Sequence, residues 1–221
     1  MIIGSVSENI KNEKRVAVTP DVVKKYKSLG LQVQLSKNYA SHLGIDDKHY
    51  EVEGANILNN EAVLSNSNAM IQMNIPKDEI LSKLKENQIL VGVLNPYSNS
   101  QKLKEIISKK INCFSLELLP RITRAQSMDI LSSQANLAGY KAVVDSFAYF
   151  QKAIPMMMTA AGTISAAKVL VVGAGVAGLQ AIATAKRMGA IVFATDVRLA
   201  SKEQVESLGG KFLIVEGAEN L

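Results

Sequence analysis

Cysteine, tryptophan and histidine are nearly absent from this chain of 221 residues, and these shortages narrow the classes of protein it can belong to. The single cysteine, Cys113, excludes a disulfide framework within one chain, and its apolar neighbours predict a buried thiol in a reducing compartment. Aromatic residues make up 5% of the sequence, and the lysines behind its net charge of +5 are scattered. Nucleic-acid binding typically requires a concentrated basic surface with aromatic residues, so we do not expect this chain to bind nucleic acid.

Long uncharged helical runs are also lacking. Residues 153–167 carry no charge and lead past Lys168 into another apolar run, but Pro155, Gly162 and the dense glycines argue against a spanning helix. The N-terminal MIIGSVSEN is typical of a β-strand and has no basic region before it, so no signal peptide is expected.

The first 120 residues alternate apolar strands with helical stretches, which predicts a parallel sheet covered by helices. The predicted strands are 2–6, 31–35, 69–73, 89–94 and 111–116. The predicted helices are 20–28, 46–52, 76–85 and 98–109. Thr19 followed by Pro20 is a typical helix start, with threonine as the cap and proline at the first position.

One long helix is predicted from residue 125 to residue 151. Its apolar face is expected to contain Leu131, Ala135, Ala138, Ala142 and Phe147. Its polar stripe comprises Gln126, Asp129, Ser132 or Ser133, Asn136 and Tyr140. Two interpretations stay open: the stripe lines a cleft between two α/β units, or the helix is an ordinary amphipathic surface helix.

The stretch from Lys168 to Arg198 has the order of strand, glycine turn, helix, strand and acid that binds dinucleotides. The β-branched run at 169–172 is typical of a strand buried on both faces. The turn comprises Gly173, Ala174, Gly175, Val176, Ala177 and Gly178. Its first glycine permits a tight turn, its second lets a pyrophosphate approach the backbone, and its third lets the helix lie against the sheet. The free N–H groups at the helix start point at the phosphates.

The acid that follows the second strand, Asp196, predicts which nucleotide binds. A carboxylate there accepts both ribose hydroxyls of an adenosine and repels a 2′-phosphate, which favours NAD over NADP. Arg198, just beyond Val197, is able in principle to bind a 2′-phosphate, so the preference is not settled by these residues.

After Asp196 we predict a helix at 201–208 capped by Ser201, and a third strand at 211–215. Dinucleotide folds have two βαβαβ halves, and this pattern supplies only the first. We therefore expect an α/β protein with two Rossmann-like parallel-sheet domains joined by a long helix, the second domain present only as its first half. The expected divisions are an N-terminal α/β domain at 1–125, a linking helix at 126–151 that lines the interdomain cleft, and a partial dinucleotide-binding domain at 152–221.

The segment PRITRAQSMDILSSQANLAGYKAVVD resembles the α subunit of proton-translocating NAD(P) transhydrogenase, a member of the alanine dehydrogenase superfamily, in its NAD(H)-binding component. Three further segments extend the resemblance over essentially the whole chain: RVAVTP, TAAGTISAAKVLVVGAGVAGLQAIATAKRMGAIV and KEQVESLGGKF. The joint match is specific, although no single motif would be.

The resemblance implies direct hydride transfer from NADH to NADP⁺, coupled to proton translocation by a membrane partner. It implies that this chain binds NAD(H) and that NADP(H) lies on a partner component. It also implies a homodimer, and a cytoplasmic location at the inner face of a bacterial plasma membrane through partner subunits.

The resemblance further implies residue roles. Arg121 and Asp129 would orient the carboxamide and the ribose, Ser132 would support the carboxamide, and Gln126 would face the NADP(H) of the partner. Asp196 would take the adenosine ribose, with Val197 and Arg198 beside it, and the glycine turn would hold the pyrophosphate.

Two alternatives remain. Alanine dehydrogenase is similar in motif order, but it uses a lysine and a histidine where this chain reads QMNIP and VLNPY, with Asn95 near the position of the histidine. Arg15 is present as in that family and equally fits a structural role. The second alternative is a truncated or split NAD-binding fragment that is inactive alone, because the family's domain continues well past the last residue of this chain.

Overall fold

The computed structural model describes residues 1–214 and divides the chain into two compact units, Met1–Met128 and Asp129–Leu221. Residue 215, the last of the strand predicted at 211–215, therefore lies outside the described residues. Among the helices of residues 1–214, none is long and apolar enough to cross a membrane.

The first unit contains a six-stranded sheet in which every neighbouring pair is parallel, in the order β3-β2-β1-β4-β5-β6. The strands are β1 (Ile2–Ser5), β2 (Gln32–Ser36), β3 (Ala55–Leu58), β4 (Ala69–Asn74), β5 (Ile89–Val93) and β6 (Asn112–Ser115). The helices are α1 (Pro20–Ser28), α2 (Asp47–Glu53), α3 (Asn60–Asn66), α4 (Asp78–Leu81) and α5 (Ser100–Ser108). This strand order is that of a doubly wound Rossmann sheet, so its switch point lies between β1 and β4.

Two hydrophobic clusters hold the first unit together. One is centred on Val6, Met70 and Leu90, and the other on Val18, Leu35 and Tyr50. Tyr39 is 2% exposed, and its hydroxyl accepts from the backbone N–H groups of Ala17 and Val18 at 3.2 and 3.3 Å. A buried tyrosine thus satisfies loop donors that the sheet leaves unpaired.

The second unit contains α6 (Ile130–Tyr149), a β-hairpin and a three-stranded parallel sheet in the order β11-β10-β9. The hairpin strands are β7 (Met157–Thr159) and β8 (Gly162–Ile164). The sheet and its helices are β9 (Lys168–Val172), α7 (Val176–Arg187), β10 (Ile191–Thr195), α8 (Ser201–Ser207) and β11 (Lys211–Phe212). Its core includes Val143, Ile182, Val192 and Val205. These observations confirm the α/β class with two parallel-sheet domains.

The long helix differs from its prediction. A 3₁₀ helix, Thr123–Met128, precedes it, and α6 begins at Ile130 because the Asp129 side chain caps it by accepting from the Ser132 N–H at 2.9 Å. The expected apolar face is wrong in part. Phe147 packs against the core and Ala135 is half-buried, but Leu131 is 45% exposed and Ala138 and Ala142 are exposed. The buried residues of α6 are Gly139 and Val143.

Gly139 is buried because α6 packs against the first turn of α7. A Cβ at Gly139 would lie 2.1 Å from the carbonyl oxygen of Ala177. The two backbones therefore approach more closely than any side chain would allow. This contact, together with the packing of Val143 and Phe147 in the core, decides which face of α6 is covered.

Other predictions fail where the local pattern misses a tertiary neighbour. Cys113 is exposed rather than buried, because β6 is an edge strand. In β9 the predicted two-sided burial is wrong, and Leu170 and Val172 are 59% and 78% exposed. Among the described residues β9 has a strand neighbour on one side only. Ser201 is not a cap, since α8 begins at Ser201 and Ala200 precedes it without a capping side chain.

The helix expected at 76–85 shortens to α4, because the N–H groups of Lys83 and Leu84 bond three residues back and tighten the turn. The strand β3 and the helix α3 were not predicted. The Asn59 side chain caps α3 by accepting from the Ala62 N–H at 2.8 Å, and this asparagine was the available signal.

Candidate nucleotide-binding site

The glycine turn follows β9 directly. Gly173 has φ +96°, a conformation that favours glycine, and its N–H donates to the Thr195 carbonyl at 2.8 Å. This bond ties the turn to the end of β10. A Cβ at Gly178 would lie 1.8 Å from the Gly173 carbonyl oxygen. The third glycine therefore lets α7 fold back against the turn, as the spacing predicts.

The second glycine leaves open space. Gly175 caps α7 with extended backbone, and no heavy atom lies within 4 Å of where its Cβ would be. The first intrahelical donor bonded to this cap is the Leu179 N–H, which reaches the Gly175 carbonyl at 2.8 Å. The N–H groups of Val176, Ala177 and Gly178 precede it in the first turn, where a helix has no acceptors of its own. An open backbone beside such donors suits a phosphate.

Asp196 lies immediately after β10, with a side chain that is only 6% exposed. Its Oδ2 accepts from the Ala174 N–H at 2.7 Å, which joins the acid to the glycine turn. Sequence reasoning placed both residues at the site but missed this bond. The bond fixes the carboxylate next to the proposed phosphate cradle.

Arg198 holds the other side of the same carboxylate. Its Nε donates to Oδ1 at 2.9 Å and its Nη2 to Oδ2 at 3.0 Å, while its backbone N–H donates to Oδ1 at 2.8 Å. The guanidinium, then the Arg198 and Ala174 N–H groups, hold the pKa of Asp196 well below its usual range. The acid is therefore an anion at neutral pH. Val197, between them, is 57% exposed.

The residues of the 121–132 segment fall in both units. Arg121 and Gln126 belong to the first unit and are exposed, and Gln126 lies in the 3₁₀ helix. Asp129 and Ser132 belong to the second unit and contact each other: the Ser132 Oγ donates to Asp129 Oδ2 at 2.7 Å, beside the capping bond. The structure thus brings this pair together at the start of α6.

A second cleft, which sequence reasoning missed, lies at the switch point of the first unit. It has a volume of about 570 Å³, and Glu8, Glu13 and Asn74 are among its lining residues. Arg15 is ion-paired to Glu13 at 2.6 Å, and the Asn74 Nδ2 donates to Glu13 at 3.0 Å. The position of this cleft follows from the strand order, in which β1 lies beside β4.

A strand, a glycine turn with an open backbone, a helix N-terminus and an anionic acid after the next strand define a nucleotide-binding α/β protein. Sequence models of the alanine dehydrogenase/PNT N-terminal and C-terminal domains match residues 4–138 and 142–220. The chain belongs to the alanine dehydrogenase/PNT family. This finding confirms the resemblance drawn from its motifs.

Among its relatives are two proteins named as the first part of NAD(P) transhydrogenase subunit alpha. The one from Rhodospirillum rubrum is 48% identical over 98% of this chain and 58% of its own length. The one from Rickettsia prowazekii is 45% identical over 100% of this chain and 59% of its own length. A solved transhydrogenase from Sinorhizobium meliloti superposes with a TM-score of 0.93 at 46% identity, covering 97% of this chain and 64% of that one. The chain thus spans less than two thirds of the length of these relatives.

Proposed function

We propose that this chain is the NAD(H)-binding component of an NAD(P) transhydrogenase, which transfers hydride from NADH to NADP⁺. The NADP(H) is held by a partner component, and the transfer is coupled to proton translocation by a membrane partner. The name shared by the two relatives, together with the match over nearly the whole chain, supports the reaction class.

The observation that carries the nucleotide assignment is the anchored carboxylate of Asp196 beside the open backbone at Gly175. The acid, fixed by the Ala174 N–H at 2.7 Å, accepts hydrogen bonds from the adenosine ribose. The glycine turn and the first-turn N–H groups of α7 hold the pyrophosphate. A fixed anion repels a 2′-phosphate, so NAD(H) is preferred over NADP(H).

The nicotinamide, when bound, supplies the hydride, and direct transfer needs proximity and orientation rather than a general acid or base. We assign the orienting roles to the 121–132 segment. Arg121 and Asp129 orient the carboxamide and ribose, and Ser132 supports the carboxamide. Gln126, exposed in the 3₁₀ helix, faces the NADP(H) of the partner. The Asp129–Ser132 contact at 2.7 Å supports a fixed start for α6.

We also propose a homodimer at the cytoplasmic face of a bacterial plasma membrane, attached through partner subunits. Size-exclusion chromatography with light scattering tests the dimer. Co-purification with the membrane component tests the attachment.

The nucleotide assignment is tested by calorimetry with NADH and NADPH on the wild type and Asp196→Ala. We expect NADH to bind more tightly than NADPH in the wild type, and the preference to shrink or reverse in the variant. Equal NADH affinity in the two proteins would contradict the role of Asp196. Binding without turnover would support the alternative of an NAD-binding fragment that is inactive alone.

The transfer role is tested in a complex reconstituted with the remaining components. Gln126→Ala is expected to lower the rate of transhydrogenation and to leave NADH affinity unchanged. The exposed Ser127→Ala is the matched control. Normal transhydrogenation in Gln126→Ala would remove its assigned role.

Alanine dehydrogenase remains the second candidate because of the shared family. Its carboxylate substrate would need a cation in the first-unit cleft. Lys77 lines that cleft and is the cation it offers, whereas Arg15 is not among the lining residues and is ion-paired to Glu13. The test is an assay of the purified chain with pyruvate, ammonia and NADH. Oxidation of NADH in this assay would support alanine dehydrogenase activity.

A further inference from the structure

We propose that Arg198 is a competitive clamp on Asp196, which must release the carboxylate before a nucleotide ribose can bind there. The inference rests on the proposed NAD(H) site and adds to it a residue that sets affinity. It assigns to Arg198 a role opposite to that of a ligand for the nucleotide.

The carboxylate of Asp196 is saturated. Oδ1 accepts from the Arg198 N–H at 2.8 Å and the Arg198 Nε at 2.9 Å. Oδ2 accepts from the Ala174 N–H at 2.7 Å and the Arg198 Nη2 at 3.0 Å. An ionised carboxylate has about four lone-pair sites, two on each oxygen. No acceptor position is left for a ribose hydroxyl while the guanidinium stays in place.

Release of the guanidinium opens the two positions that a ribose needs. Without Nε and Nη2, each oxygen keeps one backbone donor and gains one vacant lone-pair site. The 2′- and 3′-hydroxyls of a ribose are vicinal donors, so one can reach each oxygen. The two N–H donors, from Ala174 and Arg198, keep the carboxylate oriented during the exchange. The clamp therefore holds the place of the diol and is replaced by it.

The clamp is easy to release. The Arg198 side chain is 60% exposed, whereas that of Asp196 is 6% exposed. An ion pair with one such exposed partner is screened by solvent and contributes little. The arginine can swing into water while the acid stays anchored. The clamp thus lowers nucleotide affinity modestly and does not block binding.

The clamp also bears on specificity. A guanidinium committed to Asp196 through Nε and Nη2 is not presented to a 2′-phosphate. Neutralising Asp196 frees Arg198 to contact a 2′-phosphate. NADPH affinity should therefore rise in Asp196→Asn, and this rise should depend on the presence of Arg198.

The test is calorimetry of the full chain with two probes, adenosine 5′-monophosphate and its 2′,3′-dideoxy form, followed by NADH. The variants are Arg198→Met, which removes the charge at similar length, and Arg198→Lys, which keeps the charge but loses the planar fork. Arg187→Met is the matched control. Arg187 is exposed at the C-terminal end of α7, about 18 Å along the helix axis from the glycine turn.

We expect Arg198→Met to bind NADH and adenosine 5′-monophosphate about two- to fivefold more tightly, as loss of an exposed competing ion pair implies. Affinity for the dideoxy form should be unchanged, since it has no diol to compete with the clamp. Arg198→Lys should fall between, and Arg187→Met should match the wild type.

Weaker or unchanged binding of adenosine 5′-monophosphate by Arg198→Met would overturn the clamp, and so would equal tightening of both probes. A wild type that binds neither NADH nor adenosine 5′-monophosphate would instead remove the proposed function, and the clamp with it. The two failures are distinguishable because only the second concerns the wild-type protein.

Discussion

Gly178 and Gly175 lie three residues apart in one turn, yet an added methyl group should lower stability at the first and nucleotide binding at the second. At Gly178 the added Cβ would lie 1.8 Å from the Gly173 carbonyl oxygen, and 2.9 Å from its carbon. At Gly175 the same group would meet no heavy atom within 4 Å, at a backbone φ of −78° that alanine adopts freely. We expect Gly178→Ala to destabilise the second unit and Gly175→Ala to affect binding instead.

The magnitude follows from the clash. Ordinary contact begins at 3.4 Å, so the helix and the turn must separate by 3.4 − 1.8 = 1.6 Å at Gly178. The obstacle is backbone rather than a flexible side chain, so we take an overpacking cost of about 3 kcal/mol. Alanine recovers at most about 1 kcal/mol through its higher helix propensity. The net loss is about 2 kcal/mol, because the two terms differ by that amount.

Urea unfolding followed by circular dichroism measures this loss, and hydrogen exchange in α7 localises it. Gly175→Ala is the control for stability, and we expect its unfolding midpoint to stay close to that of the wild type. Its NADH affinity should fall by about tenfold or more, as loss of a hydrogen bond to a charged phosphate implies. Gly178→Ala with wild-type stability and wild-type exchange in α7 would refute this account of the turn.

Three further outcomes are expected. Gly139→Ala should destabilise the α6–α7 contact by about 2 kcal/mol, since its Cβ would lie 2.1 Å from the Ala177 carbonyl oxygen, and a thermal midpoint equal to that of the wild type would contradict this packing. Tyr39→Phe should cost about 1–3 kcal/mol because it leaves buried N–H donors unpaired, whereas Tyr97→Phe, 86% exposed, should be neutral in the same urea titration. The pKa of Glu13 is about 2 instead of 4.5, chiefly through its hydrogen bond from Arg15, so its stabilising contribution is present above pH 4.5 and is lost as pH falls through about 2. Arg15→Met should raise that pKa in a carboxyl NMR titration and move the loss to higher pH, and an unmoved titration would show that Arg15 is not its cause.

The local patterns of the sequence were strong enough to place most elements. The runs at β1, β2, β4 and β5 were predicted to within a residue or two, because apolar runs bounded by glycine, proline or asparagine specify strands locally. The glycine turn was predicted for the same reason, since its spacing encodes backbone contacts only a few residues apart. Helix ends were less accurate where a side chain decided them, as Asp129 does for α6.

The environment of each element was harder to predict. The apolar pattern of α6 predicted the packing of Phe147 but not the burial of Gly139, which follows from a close backbone approach to α7. Cys113 and Leu170 look buried by composition and are exposed by their places at sheet edges. Burial depends on neighbours distant in sequence, so a single chain read locally cannot supply it.

By itself the sequence determined the family, the α/β class and the residues of the glycine turn, because these depend on spacing and on residue type. The tertiary structure decided how those residues are used. It showed Asp196 joined to the turn through Ala174 and covered by Arg198. It also showed a cleft at the β1–β4 switch point that no motif announces. Hydrogen bonds and clefts of this kind join residues from separate strands, and only the folded chain brings their atoms within reach.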